Sequence, residues 1–236
     1  MNRMRSLFFA AAFYGWTAVM CFFMLWTLVL PRRWMLGVVH VWLDHTAWIE
    51  RVIGGITYRV IGREHVPEGA CIIAAKHQSA WETFKLHQLF GDPAIVLKKE
   101  LLTIPLWGWY LRRSGMIPID RGGGVNALAG MMQAAHRATE QGRKIVIFPQ
   151  GTRVTVGAER TYKSGVAALY QELKIPVVPM ALNSGLFWPK GLLPTRSGTI
   201  TVEILPPIPA GLPRDVMMER LKNELEEASN RLAAGV

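Results

Sequence analysis

Seven short apolar runs, spaced by segments long enough to be helices, limit what this chain can fold into. They are ITYRVIG (56–62), CIIAA (71–75), AIVLKK (94–99), MIPID (116–120), KIVIFP (144–149), IPVVPMAL (175–182) and TITVEIL (199–205). Several are apolar at nearly every position rather than at alternate ones. A strand that alternates keeps one face in water, whereas a strand apolar throughout is covered on both faces, as in a parallel sheet between two layers of helices. Segments 80–90, 124–141 and 163–173 are of helical length and lie between runs, where crossover connections belong. Residues 214–233 predict an amphipathic C-terminal helix whose apolar stripe is Val216, Met217, Leu221, Leu225 and Ala228. The expected fold is therefore α/β, a mostly parallel sheet flanked by helices, over residues 55–236.

Residues 1–54 have a different texture. The run LFFAAAFYGWTAVMCFFMLWTLVL (7–30) carries no charge, with Arg3 and Arg5 before it and Pro31, Arg32 and Arg33 after it. About 20 apolar residues suffice for a helix to cross a bilayer. A cleaved signal has a shorter apolar region and ends at small residues; this run ends in LPRR. It predicts an uncleaved N-terminal membrane anchor, and basic residues on both flanks leave its orientation undecided. The next stretch, WMLGVVHVWLDHTAWIERVIGG (34–55), is apolar but broken by His40, Asp44, His45 and Glu50. It predicts an interfacial or partly inserted helix. The competing reading makes residues 7–50 a core hairpin of a soluble protein.

The chain has 236 residues, half of them hydrophobic, and a formal charge of +10. That charge suits anionic partners: nucleic acid, an acidic membrane surface or a phosphorylated substrate. Nine tryptophans and eleven methionines, with the apolar anchor, favour membrane. Nucleic acid is disfavoured, because no basic stripe is interleaved with aromatics. Cys21 and Cys71 sit in apolar runs without ligand spacing, which predicts buried free thiols in a reducing compartment. His40, Asp44 and His45 are weighed as a metal site and set aside, and no metal is expected.

Four segments stand out, and three of them carry candidate chemistry. In HQSAWE (77–82), His77 and Glu82 fall where a strand ends and a helix begins. Ser79 and Glu82 also fit a capping box, in which the acid reaches back to the serine amide. Five residues do not bring two side chains to one face of a regular helix. His77 and Glu82 meet only if His77 precedes the helix and Glu82 sits in its first turn. In MIPIDRGGG (116–124), Arg121 and the glycines after it could hold a phosphate; the plainer reading is a flexible loop. In IVIFPQGTR (145–153) a strand ends in a turn that presents Gln150, Gly151, Thr152 and Arg153. KIPVVPMALNSG (174–185) reads as scaffold that floors a pocket, with no direct chemistry.

In that order, HQSAWE, MIPIDR, FPQGTR and IPVVP resemble the four blocks of the glycerolipid acyltransferases, the family that contains 1-acylglycerol-3-phosphate acyltransferase. KKELLTIPLWGW (98–109) resembles the stretch between its first two blocks, and the likeness covers roughly residues 60–190. Two positions depart from the pattern: Glu82 stands where the family usually has Asp, and Gln150 where it has Glu.

The resemblance implies transfer of a fatty acyl group from an acyl thioester to the free hydroxyl of lysophosphatidic acid, giving phosphatidic acid. Lyso-ornithine lipid or another lysophospholipid is the alternative acceptor. A lipid-binding protein impaired by Gln150 is the alternative of another class. His77 would be the general base and Glu82 its orienting acid. Arg121 would bind the acceptor's phosphate, with Lys98 and Arg153 assisting. Gln150 would hydrogen-bond the glycerol part, and Gly151 and Thr152 would offer backbone donors to the thioester oxyanion. No cofactor is implied: the donor is a thioester of acyl carrier protein or of coenzyme A. Membrane lipids are the partners, and a bacterial-type inner membrane with the catalytic domain facing the cytoplasm is the location. Ser79 could carry a covalent intermediate, but direct transfer is preferred.

Overall fold

The computed structural model describes residues 3–120, 122, 124–191 and 193–236. Each of the seven apolar runs forms a strand: β1 (Ile56–Ile61), β2 (Ile72–Ala75), β3 (Ala94–Lys98), β4 (Ile117–Ile119), β5 (Ile145–Ile147), β6 (Val177–Leu182) and β7 (Gly198–Ile204). They make one seven-stranded sheet in the order β1-β7-β6-β2-β5-β3-β4. The β6–β7 pair is antiparallel, and every other neighbouring pair is parallel. The sheet is thus mixed but mostly parallel, as expected.

The helices are α1 (Arg3–Phe23), α2 (Arg32–Ile49), α3 (Trp81–Phe90), α4 (Trp107–Arg113), α5 (Gly124–Glu140), α6 (Gly165–Leu173) and α7 (Arg214–Ala234). The short α4 lies in the stretch between the first two motif blocks, where no helix is expected from sequence. In α7 the buried stripe is Met217, Leu221, Leu225, Ala228 and Ser229. Val216, expected on that stripe, is exposed: it lies about 100° round the helix from Met217.

Side chains leave successive strand residues on opposite faces, and β2 shows the consequence. Ile73 and Ala75 join the apolar cluster under α1 and α3, with Phe9, Phe13, Trp81 and Trp188. Ile72 and Ala74 join the opposite cluster under α5, α6 and α7, with Met131, Val166, Leu169 and Leu221. The same alternation divides the polar residues that follow. Lys76 is directed to the α7 side and His77 to the α3 side, where their partners lie.

The helix α1 is long and apolar enough to cross a membrane. Phe9 and Phe13 are nonetheless buried in the cluster of the sheet, edge-on to Trp188 at 5.3 and 5.6 Å between ring centres. The helix ends at Phe23, and a short 3₁₀ turn (Leu25–Val29) leads through Pro31 into α2. Both ends of α2 are tied to the α/β body. At its start, Arg32 pairs with Asp92 and donates to the Ser114 carbonyl. Just past its end, Glu50 pairs with Lys85 of α3 at 2.8 Å, and both side chains are buried.

Of the two cysteines, Cys71 is buried and Cys21 half-buried, and both are free thiols. Burial pushes the Cys71 thiol up to about 11. His45 packs against Trp16, and His40 faces His87.

Candidate active site

His77 lies two residues past β2 and four before α3, outside the helix, while Glu82 is in the helix's first turn. At this junction the two side chains meet: Glu82 Oε1 is 2.9 Å from His77 Nδ1. The same oxygen accepts the N–H groups of Gln78 and Ser79, each at 2.7 Å. The capping contact and the histidine contact are therefore made by one oxygen. The Ser79 hydroxyl is occupied locally, accepting the Trp81 N–H at 3.1 Å.

Glu82 is fully buried, and its second oxygen accepts the Ser184 hydroxyl at 2.8 Å. Four donors thus converge on a group that, as a carboxylate, only accepts. A carboxylate facing Nδ1 puts the imidazole proton there, which leaves the Nε2 lone pair as the basic position. The ring of His77 stacks on Phe148 at 4.0 Å and 22°, and its side chain is 15% exposed. It is the member of the pair that a substrate can reach.

The other blocks gather around it. The β2, β5 and β6 strands are parallel neighbours, so their carboxyl ends lie at one edge of the sheet, where sites of open α/β folds form. The turn after β5 folds over the histidine: Val154 N–H donates to the His77 carbonyl at 2.7 Å. Gly151 has φ +67°, a left-handed conformation that glycine adopts without strain. Its N–H donates to the Phe148 carbonyl at 2.9 Å, so that amide is committed to the turn and is not a donor for an oxyanion. Thr152 and Arg153 follow, half-buried.

Gln150 is placed differently from a substrate contact. It is buried, and its amide Nε2 donates to Glu226 of α7 at 3.2 Å. Lys98 lies at the carboxyl end of β3, exposed and paired with Glu100 at 2.9 Å. Arg121 lies outside the described residues. Next to it, Asp120 accepts the Gly122 N–H and faces Lys99 at 3.8 Å.

The fourth block does more than floor a pocket. Ser184 holds Glu82, and Gly185 N–H donates to Gln78 Oε1 at 3.0 Å. A Cβ on Gly185 would come within 2.9 Å of Val156 and 3.0 Å of Gln78. This glycine lets the first and fourth blocks meet against Val156, three residues past the third block. Sequence reasoning missed Ser184, Gly185, Phe148 and Glu226. The only local signal was the small pair Ser-Gly just past a strand end.

A base oriented by a buried acid, at the carboxyl edge of an α/β sheet, is equipped to remove a proton from a weak nucleophile. Comparison with known proteins agrees with that class. The family model described as Acyltransferase matches residues 57–183, more than half of the chain. The chain belongs to the acyltransferase family.

Among its relatives is the 1-acyl-sn-glycerol-3-phosphate acyltransferase of Pseudomonas aeruginosa, 41% identical over 72% of this chain and 66% of that protein. The enzyme of the same name from Limnanthes douglasii is 34% identical over 66% of this chain and 56% of its own length. The chain thus spans less than two thirds of these curated relatives. The solved structure of the 1-acyl-sn-glycerophosphate (LPA) acyltransferase PlsC from Thermotoga maritima has the same fold. It matches with a TM-score of 0.74 at 23% identity, covering 96% of this chain and 98% of that one.

Proposed function

We propose that the protein transfers a fatty acyl group from an acyl thioester to the free hydroxyl of lysophosphatidic acid, forming phosphatidic acid. The observation that carries this reading is the His77–Glu82 contact of 2.9 Å, which keeps Nε2 basic on a part-exposed ring. In this reaction Nε2 takes the hydroxyl proton of the acceptor as its oxygen attacks the thioester carbonyl. Glu82 holds the imidazole tautomer and stabilises the imidazolium. The carbon–sulfur bond then breaks, and the imidazolium proton passes to the departing thiolate. The names of the curated relatives support the acceptor. The basic residues Lys98, the last of β3, and Arg153, in the turn after β5, suit its phosphate, and Arg121 is the third basic residue proposed for it. The donor is a thioester of coenzyme A or of acyl carrier protein.

The same reading has the site open at a bilayer. Phe8, Phe22, Phe23, Trp26, Val29 and Trp34 on the α1–α2 hairpin are exposed, as are Leu101, Ile104 and Trp109. The two groups are joined: Tyr110 donates to the Cys21 carbonyl, Arg113 to the Leu30 carbonyl, and Trp42 packs on Trp107. An apolar surface of this extent marks an interaction site, and lipid is the partner that accepts aromatics so arranged. Because one side of α1 is buried in the α/β body, the hairpin enters one leaflet rather than crossing the bilayer. The catalytic domain then stays on the side that supplies acyl thioesters, the cytoplasmic face of a bacterial-type inner membrane.

The test is turnover by the purified full-length protein with acyl-coenzyme A and acyl carrier protein thioesters. A panel of lysophosphatidic acid, lysophospholipids with larger head groups and lyso-ornithine lipid is presented in vesicles. Preference for lysophosphatidic acid is expected, with His77→Ala lowering kcat by at least about 10²-fold while the fold is kept. Wild-type turnover in His77→Ala, or no turnover with lysophosphatidic acid, overturns it.

A further inference from the structure

Lys76 precedes the histidine and is 3% exposed. Helix α7, from the far end of the chain, brings Glu226 to it: the Nζ atom is 2.6 and 2.5 Å from the two carboxylate oxygens. Glu226 Oε1 also accepts the Gln150 amide at 3.2 Å and the Tyr162 hydroxyl at 2.9 Å. Burial first, and the Glu226 charge second, push the Tyr162 phenol up, so it stays a donor.

These donors come from the segments that frame His77. Lys76 is its chain neighbour at the end of β2. Gln150 is two residues beyond Phe148, which stacks on the imidazole. Tyr162 precedes Lys163, whose N–H donates to the Pro149 carbonyl at 2.7 Å. No other acid is paired with Lys76 among the described residues, and a buried ammonium without a partner is costly.

We propose that Glu226 is a positioning residue for the His77 base. It neutralises Lys76 and clamps the end of β2 to the turn after β5, so that the imidazole, Phe148 and residues 151–153 keep one arrangement. The proposal rests on the reading of His77 as the base.

It has a consequence for charge. Gln150 Oε1 is buried without a hydrogen-bond partner among the described residues, so the amide is oriented by Glu226 alone. A carboxylate at position 150 would sit against Glu226, whose charge Lys76 already matches, and so add an uncompensated acid. Exchanging the two groups would keep one acid and one amide.

The experiment compares the full-length wild type with Glu226→Gln, Gln150→Glu and the double exchange Gln150→Glu/Glu226→Gln. The substrates are acyl-coenzyme A and lysophosphatidic acid in vesicles, well below the Tm of each protein. Each single variant is expected to lose about tenfold in kcat, with KM within about twofold, and the exchange to recover to within about threefold of wild type. A purely structural Glu226 would lower Tm and leave kcat unmoved. Wild-type kcat in Glu226→Gln, or an exchange no better than the worse single variant, overturns the proposal. Should Glu226→Gln fail to fold, Lys76→Met/Glu226→Gln, which leaves no unpaired ammonium, takes its place with the same kcat loss expected and the same outcome overturning it. An inactive wild type overturns the functional reading and this inference with it.

Discussion

Ser184, 102 residues downstream of Glu82, donates its hydroxyl to Glu82 Oε2 at 2.8 Å. Glu82 is thus held from both sides, by the amides of Gln78 and Ser79 just before its own helix through Oε1 and by Ser184 just past β6 through Oε2. A carboxylate that could rotate would let the imidazole turn with it. Ser184→Ala leaves one buried lone pair unmet, at a cost of about 1–3 kcal/mol. The expected result is a lower Tm and a fall in kcat of about tenfold with little change in KM. Thermal melts and steady-state kinetics check it; an unchanged kcat would detach Ser184 from the catalytic geometry.

Glu82→Asp restores the acid usual at this position of the family and shortens the side chain by one methylene. Oε1 now reaches His77 Nδ1 and two backbone amides together. The shorter acid cannot keep all three without moving the helix. A fall in kcat of at least about tenfold, equivalent to ~1.4 kcal/mol, is expected. Equal or faster turnover would show that the junction re-spaces freely.

Lys85 and Glu50 form a fully buried ion pair, and the Trp81 indole donates to Glu50 at 3.1 Å. Burial pushes the Glu50 carboxyl above its usual range, and Lys85 pulls it part of the way back. Lys85→Met strands the acid and should cost about 3–5 kcal/mol. Glu50→Gln/Lys85→Met removes both charges and keeps an acceptor for Trp81, so it should recover most of that loss. Denaturant unfolding of both variants measures it; a double variant as unstable as the single one would refute the electrostatic account.

Asp92 ties Arg32 at the start of α2 to Arg143. Burial raises its carboxyl, but the Arg32 hydrogen bonds and the Arg143 and Arg32 charges outweigh that and hold it below its ordinary value of 3.8. An acid whose folded-state value is depressed adds stability above its unfolded value and loses it as pH falls through the folded one. The stability gap between wild type and Asp92→Asn should be full at neutral pH and close below about pH 4. Urea melts across pH test this, and a gap that widens in acid would reverse the sign.

All seven apolar runs are strands, and the predicted helices at 80–90, 124–141, 163–173 and 214–233 lie within about two residues of α3, α5, α6 and α7. They were legible because strand and helix periodicities are local properties of side-chain direction. Strand order was not legible. Runs apolar on both faces fit almost any neighbour, so neither the central place of β2 nor the antiparallel β6–β7 pair has a local signature.

The site divides in the same way. HQSAWE held His77 and Glu82 within one strand-to-helix junction, but its spacing served a capping box and a catalytic pair equally. In the tertiary structure one oxygen of Glu82 makes both contacts, to the Ser79 amide and to His77 Nδ1. The departure at Gln150 was visible as a missing acid, and only packing showed that its amide turns to a carboxylate, Glu226, from helix α7. By itself the sequence determined the strands, most of the helices and the closeness of His77 and Glu82 at one junction, because each depends on residues a few positions apart. The tertiary structure alone decided which distant groups complete them. Ser184 in a short 3₁₀ turn and Glu226 beside an apolar stripe look like ordinary surface residues in sequence until the fold brings the end of β6 and α7 to the carboxyl end of β2.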